Sequence, residues 1–298
     1  MTPIPVTGPV PAPVRGAGTS RTTAECHIWS LPPLSRPSSW FGLLDSTELS
    51  RCSSFAHELD LARFVTGRML AKTALASLVG TGPESIRLHT RCPDCGGPHG
   101  KPRVVVGPGA GWELSISHSG GTVAVAVAQG SPLGLDVEQE EPWHGDGLPP
   151  EYELVLTPAE RSAVEALPQH RRARACLTYW TRKEALLKAT GEGLNRPMTD
   201  FTLSAPDEPP ALLAWHTRER DRPVPALADV RLAEDCHGAV AVLGVRTVLP
   251  RVHNSADLLP AGRPAVRRPP PERIHVVSTE RPLSGATGHA RAPAERLP

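Results

Sequence analysis

This chain of 298 residues has no long hydrophobic run, few aromatic residues and nearly equal numbers of positive and negative side chains. No apolar run reaches the ~18 residues that a membrane-spanning helix needs, and the first residues lack the basic start and apolar core of an export signal. We therefore expect a cytoplasmic protein that does not enter a membrane. The formal net charge is +1 and aromatic residues make up 4%. Without a dense Lys/Arg stripe and interleaved aromatics, no nucleic-acid-binding surface is predicted.

Cysteine is sparse as well, with six residues that are too dispersed for a disulfide scaffold. In a reducing compartment they would stay thiols. Cys92, Cys95 and His99 nevertheless follow the spacing of a partial tetrahedral zinc site. No second pair of this kind supplies the remaining ligands. Two interpretations stay open, a structural zinc or a tight loop that presents Lys101 to a substrate, and the second is favoured.

Proline, in contrast, is abundant, with 34 residues concentrated at the two ends of the chain. Residues 1–25 and 250–298 have no usable apolar period, so we expect both to be disordered tails. Between them we place an N-terminal half at residues 26–144 and a C-terminal half at residues 145–249. A helix in the second half is predicted to begin at Thr157, with Glu160 completing a capping box.

The segment from Trp180 to Lys188 is the most informative stretch of the chain. On a helix that advances about 100° per residue, Glu184 and Lys188 fall on the same stripe as Leu177 and Leu187. An ionised carboxylate on such an apolar stripe is costly unless it is paired, hydrogen-bonded or bound to a metal. The pattern fits either a simple i,i+4 ion pair or a functional site.

A second acidic pair lies on a predicted strand at residues 133–139. The period of two places the apolar residues on one face and Asp136 with Glu138 on the other. Two carboxylates fixed in this way, with a third from elsewhere, suit a hard divalent ion such as Mg²⁺. The alternative is an exposed edge strand whose acids only favour solubility.

Between the two acidic sites, residues 117–121 separate two short apolar runs. This pattern predicts a hairpin turn that carries Ser117 and His118 at its tip. Hydroxyls, backbone N–H groups and an imidazole there could hold an anion. The alternative is a serine-rich turn with an incidental histidine.

The chain also contains an internal repeat. Residues 63–80 align without a gap with residues 174–191, which matches Lys72 with Lys183. Chance similarity between two alanine-rich helices is the competing explanation. Because the first copy has no counterpart of Glu184, we expect a single active site, served by the C-terminal helix.

These motifs occur in the order found in 4′-phosphopantetheinyl transferases, and the chain resembles their large single-chain class, often called Sfp-type. The resemblance covers about residues 27 to 248 and is carried by Phe55…Asp60-x-x-Arg63, Gly100-Lys101-Pro102, Ser117-His118-Ser119, Gly134-Leu135-Asp136-Val137-Glu138 and Trp180-x-x-Lys183-Glu184-Ala185-x-x-Lys188-x-x-Gly191-x-Gly193. It implies an α+β fold of two similar α+β halves related by a pseudo-twofold axis. Each half would be a long helix packed on a small, mainly antiparallel sheet.

The same resemblance implies a reaction of the holo-[acyl-carrier-protein] synthase type. The 4′-phosphopantetheine moiety of coenzyme A would pass to a serine hydroxyl of an apo acyl or peptidyl carrier protein, with release of 3′,5′-ADP. The large class commonly serves polyketide and nonribosomal peptide biosynthesis. A chain that holds both halves needs no partner to complete its cleft, so we expect a monomer.

Particular roles follow for the motif residues. Mg²⁺, or Mn²⁺ in its place, would be held by Asp136, Glu138 and Glu184. Glu184 is also the candidate general base, directly or through a water, and Lys188 would neutralise charge on the phosphoryl oxygens. Contacts to coenzyme A are expected from Arg51, Arg63, Lys101, Ser117, His118 and Lys188.

Two rival functions remain compatible with the residues. Asp136 and Glu138 beside a lysine would also suit a divalent-metal phosphodiesterase or nuclease. A non-catalytic module that binds coenzyme A is the other. The weak basic patch and the helical position of Glu184 and Lys188 count against the nuclease. The presence of every motif residue counts against the module.

Overall fold

Helices and short strands alternate along the computed structural model, which describes residues 22–34, 41–92, 95–105, 107–140, 145, 147–148, 150–217, 222 and 224–258. The helices are α1 (Ser46–Cys52), α2 (Glu58–Val79), α3 (Pro158–Glu165) and α4 (Gln169–Thr190). The strands are β1 (Thr23–Leu31), β2 (Trp112–Ser119), β3 (Thr122–Gln129), β4 (Leu133–Gln139), β5 (Phe201–Leu203), β6 (Leu212–Trp215), β7 (Pro225–Ala233), β8 (Cys236–Leu243) and β9 (Thr247–Val252). Short 3₁₀ turns occur at Phe41–Leu43, Pro83–Ser85, Pro150–Leu154, Gly193–Asn195, Met198–Asp200 and Ser255–Leu258.

Two main sheets organise the molecule, with strand orders β2-β3-β1-β9 and β4-β8-β7. A third, two-stranded sheet pairs β5 with β6. Neighbouring strands run antiparallel, apart from the parallel pair β1 and β9. The long helix α2 packs on the first main sheet and α4 on the second. The predicted α+β fold, with a long helix on a mainly antiparallel sheet in each half, is confirmed.

The internal repeat is visible in the topology. In each half a strand is followed by a long helix and then a hairpin, and the first strand pairs with the last strand of that hairpin. Both long helices have 22 residues. Both end at a left-handed glycine, Gly80 with φ 71° and Gly191 with φ 81°. Glycine adopts this conformation without the steric cost that a Cβ brings, which is why it terminates helices so often.

The repeat extends to buried side chains. Lys72 on α2 donates to Glu48 Oε2 at 2.6 Å, and Lys183 on α4 donates to Glu160 Oε2 at 2.6 Å. Both glutamates complete the capping box of a preceding short helix, so the predicted cap at Thr157 is confirmed. Each lysine is fully buried, and each carboxylate therefore joins the start of one helix to the middle of the next.

The packing forms three apolar clusters. One lies between α2 and the first sheet, one between α4 and the second sheet, and one between the two sheets. The predicted apolar face of β4, with Leu133, Leu135 and Val137, belongs to the cluster between the sheets. None of the described helices has the length and apolarity needed to cross a bilayer.

Some strand extents differ from the sequence-based boundaries. β1 begins at Thr23, inside the predicted N-terminal tail, and β9 continues to Val252, inside the predicted C-terminal tail. These ends form a parallel ladder in which Cys26 stands opposite Pro250. Pairing between the two ends of the chain leaves no local periodic signal, so the sequence does not reveal it. The remaining tail residues lie largely outside the described part of the chain.

The division between the halves stays a prediction, but the strands cross it. β4 precedes the predicted boundary after residue 144, yet it pairs with β8 in the second sheet. β9 follows the second half and pairs with β1 in the first sheet. Each main sheet therefore includes a strand from outside its own half, β4 in the second sheet and β9 in the first.

The predicted hairpin is present, but its tip was placed wrongly. Ser117 and His118 lie within β2, and the turn consists of Gly120 and Gly121. Gly120 has φ 49°. A two-residue hairpin turn favours positive φ, which glycine supplies, so the chain turns at the glycines and leaves the serines in the strand.

Candidate active site between the two sheets

The edge strands of the two sheets meet through a row of serines. Ser115, Ser117 and Ser119 of β2 accept hydrogen bonds from alternate backbone N–H groups of β4, between Leu135 and Gln139, at 3.0, 3.3 and 3.1 Å. These N–H groups lie on the edge of β4 that does not pair with β8, so the serines bond to the outer edge of the second sheet. They fix the acidic strand against β2. The alternation Ser-x-Ser-x-Ser is the sequence signal for this row, whereas the sequence-based interpretations were an anion-binding turn or a serine-rich turn with an incidental histidine.

A close backbone contact places α4 on the same strand. A Cβ at Gly134 would overlap the carbonyl oxygen of Ala185 and lie 2.6 Å from the backbone N of Ala189. Only glycine allows the helix to approach β4 this closely. Because Glu184 and Lys188 are the sequence neighbours of these two alanines, the contact brings both side chains to the acidic strand.

Asp136 is the centre of the polar contacts. Its side chain is almost fully buried, and its Oδ1 accepts from Lys188 Nζ at 2.6 Å and from Ser117 Oγ at 2.9 Å. Lys188 Nζ also donates to Ser117 Oγ at 3.0 Å. The partner of Lys188 in this ion pair is thus on β4, whereas the sequence alone suggested Glu184, one turn away on the same helix. Asp136 Oδ2 is buried and has no hydrogen-bond partner among the described residues.

The two glutamates sit in an environment that disfavours their charge. Burial, the largest cause, and the charge of Asp136 raise the pKa of Glu138 to about 7. Hydrogen bonds from neighbouring side chains, Trp180 among them, and the charge of Lys188 lower it by less. Burial also raises the pKa of Glu184; Lys188 opposes this shift and Asp136 adds to it. Both carboxyls therefore lie within electrostatic range of Asp136. The contact from Trp180 was not anticipated from the sequence.

Lys188 responds to the same charges in the opposite sense. Burial lowers the pKa of its ammonium, but the negative charges of Asp136, Glu184 and Glu138 outweigh that effect. The net result is a raised pKa. Lys188 is consequently a cation at neutral pH, held among three acids.

The donor set of these acids fits a hard divalent cation. Carboxylate oxygens are what Mg²⁺ prefers, and a buried oxygen such as Asp136 Oδ2 gains from a cation beside it. Among the described residues, three such side chains place their ligand atoms within 4.8 Å of one another at Cys92, Cys95 and His99, and not at the three acids. The carboxylates are therefore spaced more widely than in a closed metal site.

Positive groups stand next to the acids, at the turn of the first hairpin. Arg63 on α2 donates from Nη2 to the carbonyl of Gly120 at 2.8 Å and from Nη1 to Asp60 Oδ1 at 3.1 Å. His118 is exposed on β2, but desolvation by its neighbours and then the charges of Arg63 and Lys188 lower its pKa. Arg63, His118 and Lys188 therefore share one electrostatic environment.

Lys101 and Arg51 make contacts of other kinds. Lys101 Nζ donates to the carbonyl of Leu133, the first residue of β4, at 2.6 Å, and lies 3.7 Å from Glu113 Oε2. Burial lowers its pKa to about 8. The guanidinium of Arg51 lies over two phenylalanine rings, those of Phe55 and Phe64, at 5.9 and 5.8 Å. The structure thus brings together the acids, Lys188, Ser117, His118 and Arg63, whereas the contacts of Lys101 and Arg51 are with other groups.

Comparison with known proteins agrees with the position of this cluster. Residues 132–239 match the family model of the 4′-phosphopantetheinyl transferase superfamily. The 4′-phosphopantetheinyl transferase HetI of Nostoc sp. is 28% identical over 226 residues, which cover 74% of this chain and 88% of HetI. In these comparisons the chain is similar to 4′-phosphopantetheinyl transferases.

Other similar proteins come from Bacillus subtilis. A 4′-phosphopantetheinyl transferase is 28% identical over 158 residues, covering 53% of this chain and 65% of the relative. The 4′-phosphopantetheinyl transferase Sfp is 26% identical over 153 residues, covering 51% of this chain and 62% of Sfp. The chain therefore spans most of HetI but less than two thirds of these Bacillus proteins. The family match itself begins one residue before β4 and ends within β8, so it contains all three acids.

Proposed function

We propose that this protein transfers the 4′-phosphopantetheine arm of coenzyme A to a serine hydroxyl of an apo carrier protein and releases 3′,5′-ADP. The supporting observation is the convergence of Asp136, Glu138, Glu184 and Lys188 from β4 and α4, inside the region that matches the superfamily. In this reaction a serine oxygen attacks the β-phosphorus of a pyrophosphate. The enzyme must neutralise charge, align the reactants and remove one proton.

Mg²⁺ is the metal that the carboxylate donor set fits, with Mn²⁺ as a substitute. Asp136, Glu138 and Glu184 would hold it. When bound, the ion supplies Lewis-acid stabilisation of the diphosphate. The buried Oδ2 of Asp136, which lacks a hydrogen-bond partner in the described structure, supports this assignment.

Glu184 is proposed to accept the serine proton, directly or through one water. An ordinary glutamate, with a pKa of about 4.3, is a weak base at neutral pH. Burial on α4 raises the pKa of Glu184, which favours its role as a base, whereas a bound Mg²⁺ would lower that pKa and favour a water relay. Lys188, whose pKa is raised by the surrounding acids, stays charged and is positioned to neutralise the phosphoryl oxygens or the departing 3′,5′-ADP.

Coenzyme A is proposed to lie along the positive side of the cleft. The charges of Arg63 and Lys188 both act on His118, which supports the assignment of Arg63 and His118 to the phosphates. The arginine fork matches a phosphate dianion well. Ser117 already bonds Asp136 and Lys188, so its first task is to hold these two side chains.

Two of the expected phosphate contacts require a change of partner. Lys101 would have to leave the carbonyl of Leu133 to reach a phosphate. Arg51 would have to leave the rings of Phe55 and Phe64, or reach the phosphate while it still stacks on them. Both remain proposed contacts of coenzyme A.

The decisive experiment uses the full chain with coenzyme A, Mg²⁺ and a purified apo carrier protein. Intact mass spectrometry should show one phosphopantetheine added to the carrier, and none on a carrier whose acceptor serine is replaced by alanine. Chelation with EDTA should stop the transfer, and Mg²⁺ or Mn²⁺ should restore it. A panel of acyl and peptidyl carriers would define the preferred partner, and size-exclusion chromatography tests the expected monomer.

Other outcomes of the same incubation would overturn the proposal. Cleavage of DNA without modification of any carrier would favour the metal-dependent nuclease. Binding of coenzyme A without transfer to any carrier would favour a non-catalytic module.

A further inference from the structure

We propose that Cys92, Cys95 and His99 form a zinc site that is separate from the active site. One ligand atom from each of the three residues lies within 4.8 Å of the other two. Cys95 Sγ and His99 Nε2 are 2.8 Å apart. Two cysteine sulfurs and one imidazole form a donor set typical of Zn²⁺ and unlike the oxygen donors of the acidic cluster. The sequence favoured a plain loop here, and the convergence of all three side chains is what changes that interpretation.

The backbone around the cysteines is folded into a tight turn. Cys92 N donates to the carbonyl of Gly97 at 2.8 Å, and Gly96 N donates to the carbonyl of Cys92 at 2.9 Å. The N–H of Gly97 points at Cys95 Sγ, at 3.4 Å. The turn therefore groups the three ligands on one side of the segment.

Three glycines make this turn possible. Gly96 has φ 73°, which residues with a Cβ rarely adopt. A Cβ at Gly97 would lie 3.1 Å from the His99 ring and 3.2 Å from Cys95 Sγ. A Cβ at Gly100 would lie 2.7 Å from the carbonyl carbon of Arg91. Side chains are thus missing at the positions where the chain must pass close to the ligands and to itself.

The arms of the turn are closed below the ligands. His89 and Arg103 exchange two backbone hydrogen bonds, at 2.8 and 2.9 Å, and Gly100 N donates to the carbonyl of Thr90 at 2.7 Å. The returning arm carries Lys101, which reaches β4. A metal ion at the tip would therefore rigidify the segment that positions Lys101.

The charge and the exposure of these three side chains fit a metal ion that has one coordination position open to solvent. Two thiolates and a neutral imidazole balance a dication. Cys92 is buried, whereas Cys95 and His99 are exposed, so the ligands surround the ion from the protein side only. The three side chains leave the fourth tetrahedral position to a water molecule.

Cobalt is a direct probe of this site, because tetrahedral Co²⁺ with thiolate ligands has visible d–d bands and a near-ultraviolet charge-transfer band. The full chain, freed of metal with a chelator and kept reduced, should take up about one Co²⁺ with both spectral features, and added Zn²⁺ should remove them. Cys95→Ser should lose the charge-transfer intensity of its sulfur and bind at least tenfold more weakly. His99→Ala should weaken binding while keeping the thiolate band. Cys52→Ser, on α1 and outside the cluster, is the matched control and should behave like wild type.

The same series can overturn the proposal. Wild-type protein without a charge-transfer band, or a Cys95→Ser variant that binds Co²⁺ as wild type does, would remove the zinc site. A count of free thiols that shows Cys92 joined to Cys95 in a disulfide under reducing purification would remove it too. Cys95 and His99 are exposed, so their substitution should leave the melting temperature of the metal-free chain unchanged, which separates ligand loss from misfolding. None of these measurements uses coenzyme A or a carrier, so their outcome is independent of the proposed transfer.

Discussion

Lys188 on α4 and Asp136 on β4 form a 2.6 Å ion pair where the helix packs on the edge strand of the second sheet. This pair leaves the other carboxylate oxygen of Asp136 buried and without a hydrogen-bond partner in the described structure. One oxygen is thus held by a cation of the protein, and the charge of Asp136 acts on both glutamates. The arrangement keeps three acids near each other, which bare carboxylates would resist.

Glu184→Gln should nearly abolish phosphopantetheinyl transfer. The substitution keeps the size of the side chain but removes both the basic oxygen and a charge from the acidic cluster. Loss of a general base costs about 10²–10⁴ in rate, and binding of coenzyme A should stay measurable by calorimetry. Arg63→Ala provides the contrast, since it should weaken binding more than it slows turnover at saturating coenzyme A. Equal transfer rates for Glu184→Gln and wild type would remove the assignment of this residue.

Gly134→Ala should destabilise the protein and slow transfer together. The added methyl group would overlap the carbonyl oxygen of Ala185, so α4 must move away from β4. Overpacking of this kind costs about 1–3 kcal/mol or more in the free energy of unfolding. Urea denaturation measures the cost, and Gly42→Ala serves as control because a Cβ there meets nothing within 4 Å. A Gly134→Ala variant as stable and active as the control would show that the close contact is not required.

Lys183→Met should be among the most destabilising single substitutions in the second half. The lysine is fully buried and donates to Glu160 and to three backbone carbonyls. Its removal leaves the Glu160 carboxylate buried without its cation, at a cost of about 3–5 kcal/mol.

The double variant Lys183→Met/Glu160→Gln tests the cause. It should recover part of the loss, because a neutral amide is cheaper to bury than an unpaired charge. Chemical denaturation of the single and double variants measures the difference. If the double variant is no more stable than Lys183→Met, the buried charge is not the origin of the effect.

Lys101 should make the stability of the protein depend on pH above neutrality. Burial lowers its pKa from 10.5 to about 8, so the fold disfavours the charged ammonium. The resulting penalty is complete below pH 8 and is relieved as pH rises toward the unfolded value, because there the unfolded chain binds more protons than the native one. Relative to Lys101→Met, the wild type should gain free energy of unfolding between about pH 8 and 10. A constant difference across that range, measured by urea denaturation, would contradict the lowered pKa.

Local patterns in the sequence anticipated much of the candidate site. The helix that carries Glu184 and Lys188 and the strand that carries Asp136 and Glu138 are both present, because each rests on a period that neighbouring residues define. The capping box at Thr157 is also local and was found. These features need only the conformations of consecutive residues.

Contacts between distant segments were beyond such patterns. The partner of Lys188 could not be chosen from the helix alone, since Glu184 is one turn away and Asp136 lies on another element. The strand pairing of Thr23 with Thr247 and the serine row between β2 and β4 have the same character. In each case the decisive atoms belong to chain segments far apart in sequence.

The sequence by itself determined which side chains share a face of a helix or strand, because the periods of 3.6 and 2 residues are properties of the local backbone. It also supplied the spacing of Cys92, Cys95 and His99. Only the tertiary structure decided which faces meet. The backbone contact at Gly134 sets the acids of α4 against β4, and the folded turn brings two sulfurs and an imidazole together. Such distances depend on how whole segments pack, which no local period specifies.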